Sequence, residues 1–373
     1  MRKLWSIILC FFLMVPSFSS AEAEGGAKAF LLMPLYGESA LEESHSDEPF
    51  PVAGLAKLPA ILTLCRAFDT SLLHPDKEME VSKRASKVGG PTAFLEAGET
   101  IPAGELIKAA VMISAGDAIW TLMENAFGSE EVFLNNIGVI LNECGVSRTL
   151  ESCLGTGTQF SCTDLLKLGT AALESATFMQ YAGTYMDSLH HAKGTETELV
   201  NANRMIRNYP GCSGLMTGSS REDGYCGLFA VSRNQMQYLC CVIGSSTSEA
   251  RFSEATRLFD YAYANFRSEM PAQKDVPLLE DYPVLYGDRK AVNLAPHENI
   301  VLLRNKSDGA ITPQYDLPEA LLAPLDPMTA VGTVSFYTEN GEQAAFCELF
   351  PMETVRSNGY PDILKRIMAD YFT

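Results

Sequence analysis

The sequence predicts an α+β domain followed by a small all-β sandwich domain. Three observations carry that prediction. Apolar residues recur at helical spacing from residue 54 to about 185, the period changes to two from 212, and short β-like runs at regular spacing fill the last quarter. A chain of 373 residues that is 47% hydrophobic can bury the cores such units need.

The elements follow in order. "KAFLLMPL" reads as a strand, and a polar stretch, "ESHSDEPFP", leads out of it. Helical patterns then cover 54–68, 104–127, 129–145 and 162–185. In the second of these Leu106, Ala110, Ile113 and Ala118 share a face, with Gly116 interrupting. The third has a start signal at Ser129, with Glu131 behind it, and a stop at Gly145. "GYCGLFAVSR" and "MQYLCCVIGSS" are two strands joined by a polar turn, and "RFSEATRLFDYAYANF" closes the domain near 268 as a helix. Residues 269–356 hold the β-like runs "YPVLYG", "AVNLAP", "NIVLLRN", "AVGTVSFYT" and "EQAAFCELFP". In 357–373, Ile363, Leu364, Ile367, Met368, Tyr371 and Phe372 fall at helical spacing. That short amphipathic helix is expected either to touch a membrane surface peripherally or to pack on its own domain.

Residues 1–23 read as an export signal. Arg2 and Lys3 precede the apolar run "LWSIILCFFLMV", and Ala21-Glu22-Ala23 offers a small-x-small cleavage site. The apolar run is too short for a membrane span, which needs about 20 residues. Outside the signal nine cysteines remain, an odd number with no C-x-x-C pair, so mostly buried thiols are expected. A net charge of −18 argues against nucleic-acid binding and makes any contact with an anionic wall polymer or membrane a local one. No metal-ligand spacing and no cofactor motif is present. "GTGTQFS" at 155–161 lacks the strand-to-helix context of a phosphate loop, and His190 and His191 in "SLHHAKGTETE" read as a solvated loop.

Residues 28–69, "KAFLLMPLYGESALEESHSDEPFPVAGLAKLPAILTLCRAFD", resemble the start of a D-alanyl-D-alanine carboxypeptidase, a low-molecular-weight penicillin-binding protein of the serine peptidase type. "SAGDAIWTLMENAFGSEEVFLNNIGVILNECGV" resembles that family's S-x-N segment and the helix after it. "NANRMIRNYPGCSGLMTGSSREDGYCGLFAVSRNQMQYLCCVIGSS" resembles its approach to K-T-G and the two strands that follow. The resemblance spans nearly the whole chain after the signal. It implies a penicillin-binding transpeptidase/β-lactamase-like domain, a β-rich C-terminal domain and peptidoglycan stem peptides as partners.

The resemblance also implies a mechanism, and the sequence departs from it. In the family a serine at a helix N-terminus attacks the peptide carbonyl, and a lysine one turn on takes its proton. The S-x-N serine relays protons, its asparagine holds the substrate backbone, and the K-T-G strand receives the terminal carboxylate. Here Gly54-Leu55-Ala56-Lys57 stands for S-x-x-K, Ser114-Ala115-Gly116 for S-x-N and Met216-Thr217-Gly218 for K-T-G. Lys57 and Ser114 are the carried-over catalytic positions. Gly116, Met216, Thr217 and Gly218 are the carried-over substrate positions. With Gly54 at the nucleophile position no acyl-enzyme can form there, so the first expectation is an exported pseudoenzyme that binds stem peptides or a wall-enzyme partner. The alternative left open is residual carboxypeptidase or hydrolase activity through water activated by Lys57. Ser114 is expected to satisfy the lysine amine.

Overall fold

The computed structural model describes residues 26–35 and 39–359. The expected export signal over 1–23 lies outside the described residues, as does the expected helix over 357–373 from residue 360 on. Ser357 bridges Gly287 as an isolated β pair, so the last described residues continue the C-terminal unit and do not begin a helix.

The first unit is built on a five-stranded antiparallel sheet. Its strands are β1 (Ala29–Pro34), β2 (Glu42–Ser44) and, later in the chain, the pair flanking "RNQ" with the strand before it. Helices α1 (Leu58–Asp69), α2 (Ala103–Ile113), α3 (Gly116–Phe127), α4 (Glu130–Glu143), α5 (Cys162–Glu174) and α6 (Ala176–Ala182) form between these strands. A hairpin, β3 (Met186–His190) and β4 (Glu196–Val200), follows them. Then come β5 (Cys212–Ser220), β6 (Gly224–Arg233), β7 (Met236–Ser245) and α7 (Ser248–Asn265). The order across the sheet is β2-β1-β7-β6-β5.

Strand alternation explains why β6 and β7 read as unbroken apolar runs. Leu228, Ala230, Leu239, Cys241 and Ile243 face the core shared with the helical layer. Phe229, Val231, Tyr238, Cys240 and Val242 face a second core under α7. With both faces covered, the middle of each central strand, 228–231 and 238–243, is apolar at every position. Asn234 and Gln235, at φ of 52° and 61°, make the left-handed two-residue turn between them.

Two expected long helices are broken, each for a local reason. The 104–127 pattern splits because Ser114 takes a left-handed conformation (φ 55°, ψ 38°), which ends α2 and lets Gly116 open α3. The 162–185 pattern splits at Ser175, whose extended backbone ends α5 and whose hydroxyl accepts from Phe178 N–H to cap α6. The stretch 54–68 is likewise two pieces, a 3-10 turn over Ala53–Lys57 and then α1. His190 and His191 require a correction. The "SLHHAKGTETE" segment is the β3–β4 hairpin and its turn, and the His191 side chain is buried against Glu99, 3.0 Å away.

The second unit is β-rich. Strands β8 (Phe266–Ala272) and β11 (Ile300–Asn305) pair with each other. A six-stranded sheet holds β9 (Leu279–Leu285), β10 (Ala291–Ala295), β12 (Thr312–Asp316), β13 (Leu321–Leu322), β14 (Gly332–Tyr337) and β15 (Gln343–Pro351) in the order β12-β14-β15-β10-β9-β13. Val292, Leu294, Val334, Phe336, Cys347 and Leu349 fill its core. β12 and β13 were not legible as strands, because β12 is exposed at every position and β13 is two residues long. β8 runs through the boundary expected between 268 and 269.

Candidate functional site

Segments far apart in sequence meet in one cleft of about 940 Å³. The 3-10 turn Ala53–Lys57 supplies one wall. In a 3-10 helix residues i and i+3 eclipse, so Gly54 and Lys57 share a face toward the cleft. Ser114, at the end of α2, and Met216, Thr217 and Gly218, on β5, line it as well. Gly116 is the exception among the carried-over positions: it lies behind Lys57, and a Cβ on it would stand 3.5 Å from Lys57 Nζ and 2.7 Å from Val88 Cγ1.

Lys57 is buried, and its Nζ donates to the main-chain carbonyl of Ser114 at 2.8 Å. The amine is thus held by backbone and not by the Ser114 hydroxyl. Burial pushes the Lys57 amine down to about 8, against the attraction of the Asp117 carboxylate, which raises it. Met216 is buried and belongs to the core between sheet and helices, so it forms part of the cleft wall and leaves the cleft open.

The 3-10 turn sits unusually close to β5. A Cβ on Gly54 would lie 3.3 Å from Gly218 Cα, which is tight but admissible with small movements. A Cβ on Gly218 would lie 2.5 Å from Gly54 N and 2.9 Å from Leu55 N, both backbone atoms. Gly218→Ala is therefore expected to destabilise the fold by about 3 kcal/mol through overpacking. Chemical denaturation measures it, and a Gly54→Ala control should lose much less.

Several cleft residues escaped sequence reasoning. Arg251, at the start of α7, is buried and reaches the cleft, where its Nη1 donates to the Gly218 carbonyl at 3.1 Å and the Cys226 carbonyl at 2.9 Å. Its Nε has no hydrogen-bond partner, and burial lowers the guanidinium to about 10. The Gly155–Gln159 stretch, set aside above as lacking the context of a phosphate loop, forms part of the wall. A Cβ on Gly155 would meet the Ala56 carbonyl at 2.3 Å, so the glycine there permits close approach to the 3-10 turn. Glycine spacing was the available signal for that loop. Nothing local distinguishes Arg251 from Arg257, the other arginine of α7.

Asp117 governs the remaining wall. Its carboxylate accepts from the N–H groups of Ala93, Leu95 and Ala118, and the Pro91 carbonyl accepts from Gly116 N–H at 2.8 Å. The loop carrying Gly89, Gly90 and Pro91 is thereby fastened to the edge of the cleft. Among the described residues no group of three or more His, Cys, Asp or Glu side chains could hold a metal ion. The nine cysteines among the described residues are free thiols, seven of them buried.

Three degenerate motifs converging on one cleft beside a β-rich second unit narrow the comparison with known proteins. The D-alanyl-D-alanine carboxypeptidase family profile matches residues 17–247. The chain belongs to the D-alanyl-D-alanine carboxypeptidase family. The penicillin-binding protein 5 C-terminal domain matches residues 266–357. D-alanyl-D-alanine carboxypeptidase DacF of Bacillus subtilis is 26% identical over 358 residues, covering 94% of this chain and 92% of that protein. D-alanyl-D-alanine carboxypeptidase DacC of Escherichia coli is 25% identical over 351 residues, covering 90% and 85%. Penicillin-binding protein 5 of Haemophilus influenzae superposes with a TM-score of 0.73 at 19% identity, over 90% of this chain and 99% of that one. Penicillin-binding protein 6B of Escherichia coli gives 0.68 at 20% identity, over 90% of this chain and 97% of that one. Among the described residues no helix is long and apolar enough to cross a membrane.

Proposed function

We propose that this protein is an exported, non-catalytic member of its family, which holds peptidoglycan stem peptides ending in D-alanyl-D-alanine without cleaving them. One observation carries the reading: Gly54 faces the cleft one 3-10 turn before Lys57 and bears no side chain. Without a hydroxyl there, the covalent half of the reaction has no nucleophile at its usual place. Residual oxyanion and binding groups can accelerate hydrolysis only modestly on their own.

What remains suits binding. Lys57, Arg221 and Arg251 outnumber Glu222 and Asp223 in the cleft lining of a chain of net charge −18, and a free peptide carboxylate needs such a local excess of positive charge. Arg251 supplies its share of that charge from a guanidinium held in place by the Gly218 and Cys226 carbonyls. The peptide backbone can pair with the exposed edge of β5, the last strand of its sheet.

The test is D-alanine release from a D-alanyl-D-alanine-terminated pentapeptide, measured beside the binding of the same peptide by calorimetry. Binding with no release above the buffer rate is expected. Release at an enzymatic rate overturns the reading in favour of water activated by Lys57.

A further inference from the structure

We propose that Lys57 is itself an acyl acceptor, a site at which strained cyclic amides of the β-lactam class are captured as a stable amide on the lysine amine. This rests on the reading above that the cleft admits acyl-D-alanyl-like compounds.

The geometry comes first. Lys57 shares its face of the 3-10 turn with Gly54, so no side chain stands between the amine and a ligand lying along that wall. One Nζ hydrogen is committed to the Ser114 carbonyl, and among the described residues Lys57 makes no ion pair. The charged group that faces it is Asp117 on α3, while the Cys153 thiol in the segment after α4, pushed well up by burial, stays neutral. A buried amine held in place by one carbonyl keeps a defined direction of attack while its remaining valences stay unpaired. Burial also brings the amine's titration near neutrality, so an appreciable fraction is unprotonated and nucleophilic.

The hydroxyls in the cleft are less suited. Ser114 sits at the left-handed end of α2, and its carbonyl, not its hydroxyl, is what meets the amine. No donor–acceptor pair therefore primes that oxygen as the alternative nucleophile.

The chemistry separates two kinds of ligand. The Nζ lone pair adds to the β-lactam carbonyl carbon, the strained ring C–N bond breaks, and the proton lost from Nζ ends on the ring nitrogen. No atom leaves, so the product is an amide to Lys57 carrying the whole opened ring. An ordinary stem-peptide bond keeps its planar resonance and has no ring strain to release, so attack by an amine would have to expel another amine from an unstrained amide. Such peptides exchange reversibly, while strained lactams accumulate covalently.

The experiment uses the full chain with benzylpenicillin at about pH 6 to about pH 9, read by intact mass and tryptic mapping. The expected result is a single adduct of one whole penicillin, with trypsin no longer cutting after Lys57 and the bond resistant to hydroxylamine. Its rate should rise about tenfold per unit of pH and level off above about 8. Lys57→Arg and Lys57→Met should both lose the adduct. A hydroxylamine-labile ester on Ser114 or another hydroxyl overturns the proposal, and so does labelling spread over surface lysines at similar rates. Displacement of the pentapeptide by penicillin without any adduct overturns the capture and leaves the binding reading standing. Failure to bind either compound overturns both.

Discussion

Replacing Asp117 by alanine is expected to destabilise the protein by about 4 kcal/mol and to lower its melting temperature by about 10 °C. The carboxylate is buried and accepts from three N–H groups, those of Ala93 and Leu95 in the loop and that of Ala118 in its own helix. Hydrogen bonds to a charged acceptor contribute about 1.5–3 kcal/mol each, and here the donors that lose them are themselves buried. Phe94 lies between the two loop donors with φ of 59°, a strained conformation that the common carboxylate imposes. Alanine would release that strain and free the loop from the cleft wall, so ligand affinity should fall together with stability. The Asp117→Asn substitution keeps one acceptor oxygen and should recover part of the loss. Removal of the carboxylate should also move the Lys57 amine below about 8, because Asp117 is the chief group raising it. The pH at which penicillin capture is half-maximal reports that movement.

Replacing Lys57 by methionine should stabilise the protein at about pH 7 and destabilise it slightly above about pH 10.5. Burial is the cause: the amine titrates at about 8 in the folded protein against 10.5 for the ordinary lysine. Between those values the unfolded chain binds more protons than the folded one, so stability of the unaltered protein rises with pH across that window. Below about pH 8 the folded state carries the whole penalty, about 3 kcal/mol from the difference between the two values. Methionine removes the penalty but strands the Ser114 carbonyl, at about 1 kcal/mol, which leaves a gain of about 2 kcal/mol near neutrality. Denaturant titrations of both proteins at about pH 7 and about pH 10.5 check the sign. A difference that does not change with pH would show that burial of the charge is not its source.

The same lysine shows how far the sequence was legible. Gly54 and Lys57, Ser114 and Gly116, and Met216 to Gly218 could be picked out because each motif is contiguous and each sits at the end of an element with a strong local pattern. β6 and β7 were equally plain, since alternation between two buried faces leaves an unbroken apolar run. The breaks at Ser114 and Ser175 were not, because each depends on one residue leaving helical geometry within a pattern that otherwise continues. His191 illustrates a different failure. A hairpin with polar residues on one face looks like a loop until Glu99, distant in sequence, closes over the ring.

The family, the main helices, the central strand pair and the loss of a side chain at the nucleophile position could all be read from the sequence. Those properties are local or follow from periodicity, so they survive without knowledge of packing. Only the tertiary structure decided that Lys57 is fastened to the Ser114 main chain, that Gly116 lies behind it and outside the cleft lining, and that Arg251 and Asp117 belong to the site. These groups come from elements separated by tens of residues. Their chemistry is set by burial and distance, and a linear chain records neither.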